Sequence, residues 1–308
     1  MHNKVSIIIP AFNKYELTRI TINSILNQTY KNIEIILVDD GSTDFTYKLK
    51  EEFNDSIKYI YTKNNGASAA RNIGILESKG DYLAFIDCDD IYEPEKIEKS
   101  IEVLKNNSSF DFIYSNVFFI DKKGNKINHD SYTQNHPGSG SIGKRILLSD
   151  FTITNSTLVL KKSCLNSVSG FDENIFIAAD RDFILRLALK FKAFYIPQKL
   201  TGYRIGSGNT DKNLDVMLKE FLYLIDKNIH HITDKSKNFK NRCYSNVYYN
   251  FAKKYASSNN MMLAKKYFIK SLNLYFFNRY TLKILVAILL IYFMPNILQS
   301  YFKKIINY

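Results

Sequence analysis

The first 90 residues alternate between short apolar runs and amphipathic stretches, which limits the folds open to this chain. Continuous β-branched runs predict buried strands, and apolar residues at helical spacing predict helices. The predicted strands cover residues 5–9, 33–38, 57–61 and 82–86, and the predicted helices cover residues 15–28, 43–53, 67–77 and 95–105. Ser42 is the expected N-cap of the second helix. This order predicts an α/β protein with a Rossmann-like, mostly parallel sheet flanked by helices.

Polar residues follow each of these four predicted strands. They are Asn13, Asp39, the pair Asn64 and Asn65, and the acidic run of residues 87–90. Ligands bind beyond the carboxyl ends of parallel strands, so these side chains are expected to share one rim of the sheet. The acidic run suits Mg²⁺ or Mn²⁺, held jointly with the oxygens of a substrate diphosphate. The other interpretation is a solvated acidic turn that caps the following helix.

The pattern changes after residue 110. Residues 112–120, a turn at 122–125 and Ile127 predict a hairpin, and residues 157–160 predict a further strand. A helix is expected at residues 180–192. Residues 130–143 are polar and glycine-containing and predict a mobile loop. Residues 200–211 contain three glycines, which indicates either a lid over a bound ligand or an ordinary connector.

Composition and charge narrow the class of protein. A 308-residue chain with 45% apolar and 23% charged residues excludes a disordered polymer, a disulfide-stapled miniprotein and a polytopic membrane protein. Three widely spaced cysteines indicate a reducing compartment, and the short N-terminal apolar run predicts no signal peptide. Residues 1–212 carry a net charge of +1 and residues 213–308 carry +11. We therefore expect two parts, a domain at 1–212 that is cytoplasmic if it is a catalytic body, and a basic helical extension at 213–308.

The extension contains an apolar stretch, residues 284–294, that is too short for an ordinary membrane-spanning helix. Apolar residues continue to Ile306 with lysines between them, which favours a helix lying on an anionic membrane surface. A helix packed on the catalytic body, a dimer contact and a solvated lysine-rich face are the alternatives. The basic charge also permits nucleic-acid binding, but no recognition motif supports it, so no nucleic-acid partner is expected.

Five blocks of the sequence, in this order and spacing, resemble the family 2 glycosyltransferases. They read IIIPAFN at 7–13, VDDGSTD at 38–44, GASAARNIG at 66–74, FIDCDD at 85–90, and GFDE at 170–173 followed by DRDF at 180–183 and LR at 185–186. The resemblance implies a GT-A fold, a nucleotide-sugar donor, here expected to be a UDP-sugar, and a divalent cation, Mn²⁺ or Mg²⁺. It also implies a glycan or lipid-linked glycan acceptor in surface-polysaccharide synthesis, and a peripheral location on the inner face of the cell membrane.

The family pattern also implies roles for individual residues. Asp180 is the expected catalytic base, and Asp89 and Asp87 are the expected metal ligands, Asp87 alternatively contacting the ribose. Arg71 is expected near the diphosphate or base, unless it forms a surface ion pair, and Asp39 is expected to bind the base or ribose. The residues expected to line the nucleotide pocket are Pro10, Ala11, Phe12 and Asn13.

The chain departs from the family at Ala179, where a glutamate commonly precedes the catalytic aspartate. Asp182 is a rival base, but it lies about 200° around the helix from Asp180. The expected reaction is a single displacement that inverts the anomeric carbon. A catalytically silent protein that binds nucleotide sugar or scaffolds a synthesis complex is the main alternative. A nucleotidyltransferase lacks its Gly-rich basic loop here, and a dehydrogenase lacks its G-x-G-x-x-G.

Overall fold

The computed structural model describes residues 3–128, 138–149, 151, 153–206, 213–232, 237–277, 280–293 and 300. These residues belong to two compact units. The first unit comprises Met1–Asn128, Pro137–Ile142 and Ile153–Gly208, and the second comprises His129–His136, Gly143–Thr152 and Asn209–Tyr308. Most of the loop expected at 130–143 and residues 207–211 of the expected lid lie outside the described residues.

A mixed sheet forms the centre of the first unit. Its described strands are β1 Val5–Ala11, β2 Ile33–Asp40, β3 Lys58–Thr62, β4 Tyr82–Phe85, β5 Ile91–Tyr92, β6 Phe112–Ile120, β7 Lys126–Ile127, β8 Val159–Lys161 and β9 Ala193–Arg204. The order is β3-β2-β1-β4-β8-β6-β9-β5, with β7 paired to β6. Strands β1 to β4 are parallel, β8 runs antiparallel between β4 and β6, and β6 is parallel to β9. The α/β prediction is confirmed, as is the hairpin of β6 and β7.

Burial of both faces explains the continuous apolar strands. Every residue of β1 is buried, as are the last six residues of β2, which is the pattern of central parallel strands covered by helices. The register pairs Ala11 with Asp39 and Asp40 with Thr62. The carboxyl ends of β1, β2 and β3 therefore lie side by side, and the residues that follow them share one rim.

The helices of the first unit are α1 Tyr15–Leu26, α2 Leu49–Phe53, α3 Ala67–Leu76, α4 Lys96–Asn106 and α6 Ala179–Lys190. The prediction of one helix at 43–53 is wrong, since a 3₁₀ turn at Phe45–Lys48 precedes the short α2. Ser42 is not its N-cap. Asp44 accepts the N–H of Thr46 at 2.9 Å instead, because the chain turns two residues later than the sequence pattern suggested.

Strand β9 overlaps the segment predicted as a lid. Residues 200–204 belong to β9, which pairs with β6 on one side and with β5 on the other. The lid prediction is therefore wrong for them. Gly202 accounts both for the close packing of β9 and for the failure of the lid prediction. A Cβ there would lie 2.6 Å from Ile91 and 2.8 Å from Phe118, so glycine is required by close strand packing rather than by a flexible loop.

The second unit is helical, as predicted. Its described helices are α5 Gly143–Leu147, α7 Leu214–Asn228, α8 Lys237–Ser257, α9 Met261–Leu274 and α10 Thr281–Phe293. Helices α8 and α9 approach closely where the buried hydroxyls of Ser245 and Ser271 each donate to the other's backbone carbonyl, at 2.8 and 2.7 Å. The aromatic side chains of Phe251 and Tyr255 on α8 are also buried.

Helix α10 buries little of its apolar surface. Ile284 and Ala287 are buried, whereas Leu282, Leu289 and Phe293 are 75%, 56% and 78% exposed. Within the described ranges, none of the helices combines the length and the hydropathy that crossing a bilayer requires. The exposed side chains of α10 are mostly apolar, Lys283 is exposed on the same helix, and Lys265 of α9 lies over the ring of Tyr292.

Candidate active site

Asn13 joins the loops that follow β1 and β2. Its backbone lies in the left-handed region, with φ of 52°. Its side-chain oxygen accepts the N–H groups of Thr43 and Asp44 at 2.7 and 3.3 Å, and its own N–H donates to the Ser42 hydroxyl at 2.9 Å. These bonds fix the rim on which Phe12, 40% exposed, presents its ring. Of the four predicted pocket residues, only Phe12 and Asn13 are exposed, because Pro10 and Ala11 are buried in β1.

Asp39 is fully buried at the end of β2. It accepts the N–H of Ser42 at 2.9 Å and the hydroxyl of Tyr59, a residue of β3 that belongs to none of the sequence motifs. Burial and the neighbouring carboxylate raise the pKa of Tyr59 above its ordinary value. Asp39 therefore has a fixed orientation before any ligand arrives. The adjacent Asp40 has a separate role, since it accepts the N–H groups of Asn65 and Gly66 before α3.

Arg71 lies between two carboxylates from distant parts of the chain. Its two terminal nitrogens are 2.7 Å from Asp87 and 2.8 Å from Asp180. The residue is 6% exposed, so the alternative of a surface ion pair is wrong. Burial opposes the charge, but Asp180 and Asp87 together keep the pKa of the guanidinium above its ordinary value. The structure thus brings together three of the predicted site residues.

Asp180 occupies the first turn of α6, and its side chain is 35% exposed. Burial raises the pKa of its carboxyl to about 6, Arg71 opposes the rise, and Asp87 adds to it. A carboxyl with this pKa is ionised at neutral pH yet more basic than a solvated aspartate, which is the property a general base requires.

Asp182 has different surroundings from Asp180. It is fully buried and accepts a hydrogen bond from the Arg186 side chain at 2.7 Å. Arg186 in turn donates to the carbonyls of Ser169 and Gly170 at 2.6 and 2.7 Å. Asp182 therefore holds the turn before α6 in place and faces away from Arg71. Its i, i+4 spacing from an arginine is the sequence signal for this structural role.

The GFDE segment, residues 170–173, contacts both α3 and α6. Asn72 accepts the N–H of Phe171 at 2.8 Å and donates to its carbonyl at 2.9 Å. A Cβ on Gly170 would lie 2.3 Å from the Asn72 side-chain oxygen, so only glycine fits this contact. Phe171 stacks on Phe183 of α6 at 4.3 Å between ring centroids, and Arg71 lies 5.2 Å from its ring. These contacts set the distance between Arg71 and Asp180.

The acidic run after β4 has a different partner for each carboxylate. Asp87 contacts Arg71, and Asp89 is 2.5 Å from the ammonium of Lys14. Asp90 is buried and accepts the Ser156 hydroxyl at 2.5 Å and the Arg204 N–H at 3.0 Å. Burial and the neighbouring Asp87 and Asp89 raise the pKa of Asp90 well above its ordinary value.

These partners exclude the alternative of a solvated capping turn, because Asp89 and Asp90 are buried and Glu95 is the N-cap residue of α4. Long-range partners such as Lys14 have no signal in the local sequence.

The carboxylates of Asp87 and Asp89 are the oxygen donors available to a cation. Such donors suit Mg²⁺ or Mn²⁺. Among the described residues, no group of three or more His, Cys, Asp or Glu side chains is placed to hold a metal ion. The donor set therefore fits a cation that completes its shell with ligand oxygens and water, and it does not fit one held by the protein alone.

The fold is that of the GT-A glycosyltransferases, because solved enzymes of that class share it. A Pyrobaculum calidifontis mannosyltransferase in complex with GDP-Man and Mn²⁺ matches with a TM-score of 0.65 and 13% identity, over 100% of this chain and 86% of that one. TarS of S. aureus in complex with UDP-GlcNAc matches with a TM-score of 0.59 and 16% identity, over 88% of this chain and 89% of that one.

The chain belongs to glycosyl transferase family 2, whose family model matches residues 6–168. An uncharacterised glycosyltransferase of Rickettsia prowazekii is 33% identical over 223 residues, which cover 70% of this chain and 69% of that protein.

Two further relatives match over part of their length. A Rickettsia conorii glycosyltransferase is 43% identical over 131 residues, 42% of this chain and 22% of its own length. The Escherichia coli UDP-Glc:alpha-D-GlcNAc-diphosphoundecaprenol beta-1,3-glucosyltransferase WfaP is 45% identical over 121 residues, 38% of this chain and 47% of that protein. The name of that E. coli relative describes glucosyl transfer to a sugar linked to diphosphoundecaprenol.

Proposed function

We propose that this protein is an inverting, metal-dependent glycosyltransferase. It transfers a sugar from a nucleotide sugar to a hydroxyl of a glycan or lipid-linked glycan, in the synthesis of a cell-surface polysaccharide. The observation that carries the proposal is the position of Arg71, held at 2.7 Å from Asp87 and 2.8 Å from Asp180. This arrangement links a carboxylate suited to a cation that also binds the donor diphosphate, Asp87, with a carboxylate suited to proton abstraction, Asp180.

The donor would bind along the rim formed by β1, β2 and α3. The ring of Phe12 and the preorganised carboxylate of Asp39 would contact the base or ribose, and Pro10, Ala11 and Asn13 would shape that wall. A UDP-sugar is the favoured donor, because the E. coli relative is named for UDP-Glc and the S. aureus neighbour is bound to UDP-GlcNAc. The GDP-Man of the archaeal neighbour makes GDP-sugars the comparison to test.

The reaction would be a single displacement at the anomeric carbon. Asp180 accepts the proton of the acceptor hydroxyl, and its pKa of about 6 makes it both ionised and basic at neutral pH. Arg71 places positive charge where the departing nucleoside diphosphate becomes more negative. Asp87 and Asp89 would hold Mn²⁺ or Mg²⁺, which supplies Lewis-acid stabilisation of the same leaving group. One displacement without a covalent intermediate inverts the anomeric configuration.

The helical unit would place the enzyme near its acceptor. Residues 213–308 carry a net charge of +11, and α10 exposes a row of apolar side chains. Together these features suit binding to the anionic inner face of the cell membrane, where lipid-linked acceptors lie. Ala179 is buried beside the base, so the acceptor cannot be recognised there through the glutamate that the family commonly carries.

Release of nucleoside diphosphate tests the proposal. Purified protein is incubated with UDP-, GDP- and dTDP-sugars, with Mn²⁺ or Mg²⁺ and with EDTA. We expect release from one donor, abolished by EDTA, by Asp89→Ala and by Asp180→Asn, and retained in the exposed-surface control Asp55→Asn. Inversion is then read from the anomeric configuration of the product by NMR. Donor binding without turnover, unchanged in Asp180→Asn, would instead support the catalytically silent scaffold.

A further inference from the structure

Lys14 stands at the junction of β1 and α1, where it is the N-cap residue of α1. Its ammonium is 2.5 Å from a carboxylate oxygen of Asp89. The two side chains are only 25% and 12% exposed, so solvent screens this ion pair weakly. A lysine ammonium is ordinarily charged at neutral pH, and the adjacent Asp89 carboxylate favours that charged form. Lys14 is therefore a charged partner of Asp89 at neutral pH.

Both carboxylates proposed to hold the cation thus already have a cationic partner. Arg71 contacts Asp87, and Lys14 contacts Asp89. A divalent cation arriving alone would have to displace Lys14 from Asp89 and leave the ammonium unpaired beside it. The divalent cation and the ammonium carry like charges, which would repel each other strongly at this short range. Binding of the free cation is consequently opposed by the protein's own charge.

A nucleoside diphosphate removes this opposition. Its oxygens supply ligands to the cation and offer the displaced ammonium a new anionic partner. Lysine suits this exchange because its ammonium is a compact charge on a flexible four-carbon stem. Arg71 is less free to move, since two carboxylates and the ring of Phe171 hold its guanidinium.

We propose that Lys14 is an internal counter-ion of Asp89 that makes binding of the divalent cation conditional on the donor diphosphate. The inference rests on the proposed function and adds to it an order of binding. In the absence of nucleotide, Lys14 occupies Asp89 and keeps the cation affinity low. With nucleotide present, Lys14 turns to the diphosphate, and cation and nucleotide bind with positive coupling, which is reciprocal by thermodynamic necessity.

The test measures Mn²⁺ binding by electron paramagnetic resonance, with and without UDP or GDP, and needs no turnover. We expect the wild-type protein to bind Mn²⁺ at least tenfold more tightly when the nucleotide is present. Lys14→Gln should bind Mn²⁺ alone about tenfold more tightly than wild type, a difference of ~1.4 kcal/mol. Its Mn²⁺–nucleotide complex should bind more weakly, so that most of the coupling disappears.

Three further variants separate this role from a structural one. Lys14→Arg keeps the charge and should keep the weak affinity for free Mn²⁺. Lys31→Gln, an exposed lysine beyond the other end of α1, should behave as wild type. Lys14→Met retains most of the stem and replaces Lys14→Gln if that variant does not fold. A general loss of fold lowers both affinities, whereas the proposal requires them to change in opposite directions.

Two results would overturn the proposal. One is an unchanged coupling in folded Lys14→Gln and Lys14→Met, which leaves the glycosyltransferase proposal intact. The other is a wild-type protein that binds neither nucleotide with Mn²⁺, which overturns the proposed function and the role of Lys14 with it. Circular dichroism and thermal unfolding establish that each variant is folded before binding is measured.

Discussion

Replacing Arg71 with glutamine should move the pH dependence of catalysis to higher pH. The guanidinium lies 2.8 Å from Asp180 and opposes the burial that raises the pKa of that carboxyl to about 6. A unit charge at about 4 Å contributes ~4 kcal/mol at an effective dielectric of 20, and one pKa unit equals about 1.4 kcal/mol. Even after a generous discount for the partial exposure of Asp180, loss of Arg71 should shift the midpoint upward by more than about one pH unit.

The sign follows from the chemistry of the base. In the wild-type protein, donor turnover should rise with pH through about 6 as Asp180 ionises, then level off. In Arg71→Gln the carboxylate loses its cation, so ionisation of Asp180 requires higher pH and the rising limb moves to the right. The maximum rate should also fall, but the pH midpoint of the rising part of the profile does not depend on the maximum rate.

Rates of nucleoside diphosphate release between pH 4.5 and 9 provide the measurement. Arg71→Lys is the matched control, because one ammonium keeps the charge but cannot contact both carboxylates as the guanidinium does. Its midpoint should lie between those of wild type and Arg71→Gln. A midpoint in Arg71→Gln that is equal to or lower than that of wild type would refute the assignment of Asp180 as a base controlled by Arg71.

Three other perturbations have expected outcomes. Asp182→Asn should lower the free energy of unfolding by about 3 kcal/mol in urea titrations, since it breaks a buried ion pair, while its folded fraction keeps the turnover that Asp180→Asn loses. Equal losses of turnover would contradict the separation of roles. Gly170→Ala places a Cβ 2.3 Å from the side chain of Asn72 and should cost about 1–3 kcal/mol, read from thermal unfolding. A wild-type melting temperature would exclude that close contact. Leu289→Glu, on the exposed face of α10, should reduce cosedimentation with anionic phosphatidylglycerol vesicles without changing donor hydrolysis. Unchanged cosedimentation would exclude α10 as the membrane contact.

The sequence predicts the N-terminal half of the sheet well because each strand there is marked by local chemistry. The buried runs of β1 and β2 are continuously apolar, and the polar rim begins where they end. Prediction from the sequence fails at β9, because Gly202, which allows close strand packing, cannot be distinguished from a loop glycine by its local sequence. It also fails at Ser42, whose hydroxyl binds Asn13 rather than capping a helix.

The site shows the same division between local and long-range signals. The motifs single out Arg71, Asp87, Asp89 and Asp180 as candidate site residues, but which residues neutralise their charges depends on contacts between distant segments. The ion pair of Lys14 with Asp89 spans 75 positions. No periodicity or local spacing encodes that distance, so the counter-ions become visible only when the strands are placed in order.

The contact between Asn72 and Phe171 spans 99 positions of the chain. During synthesis at about 5–20 residues per second, that separation delays the second half of the site by roughly 5–20 seconds after the first half has emerged. Strands β1 to β4 and α3 are complete during this interval, while Arg71 still lacks its partner on α6. A nascent chain of this protein therefore exposes an incompletely covered sheet edge before α6 joins the candidate site, and chaperone occupancy on the ribosome should be greatest in that interval.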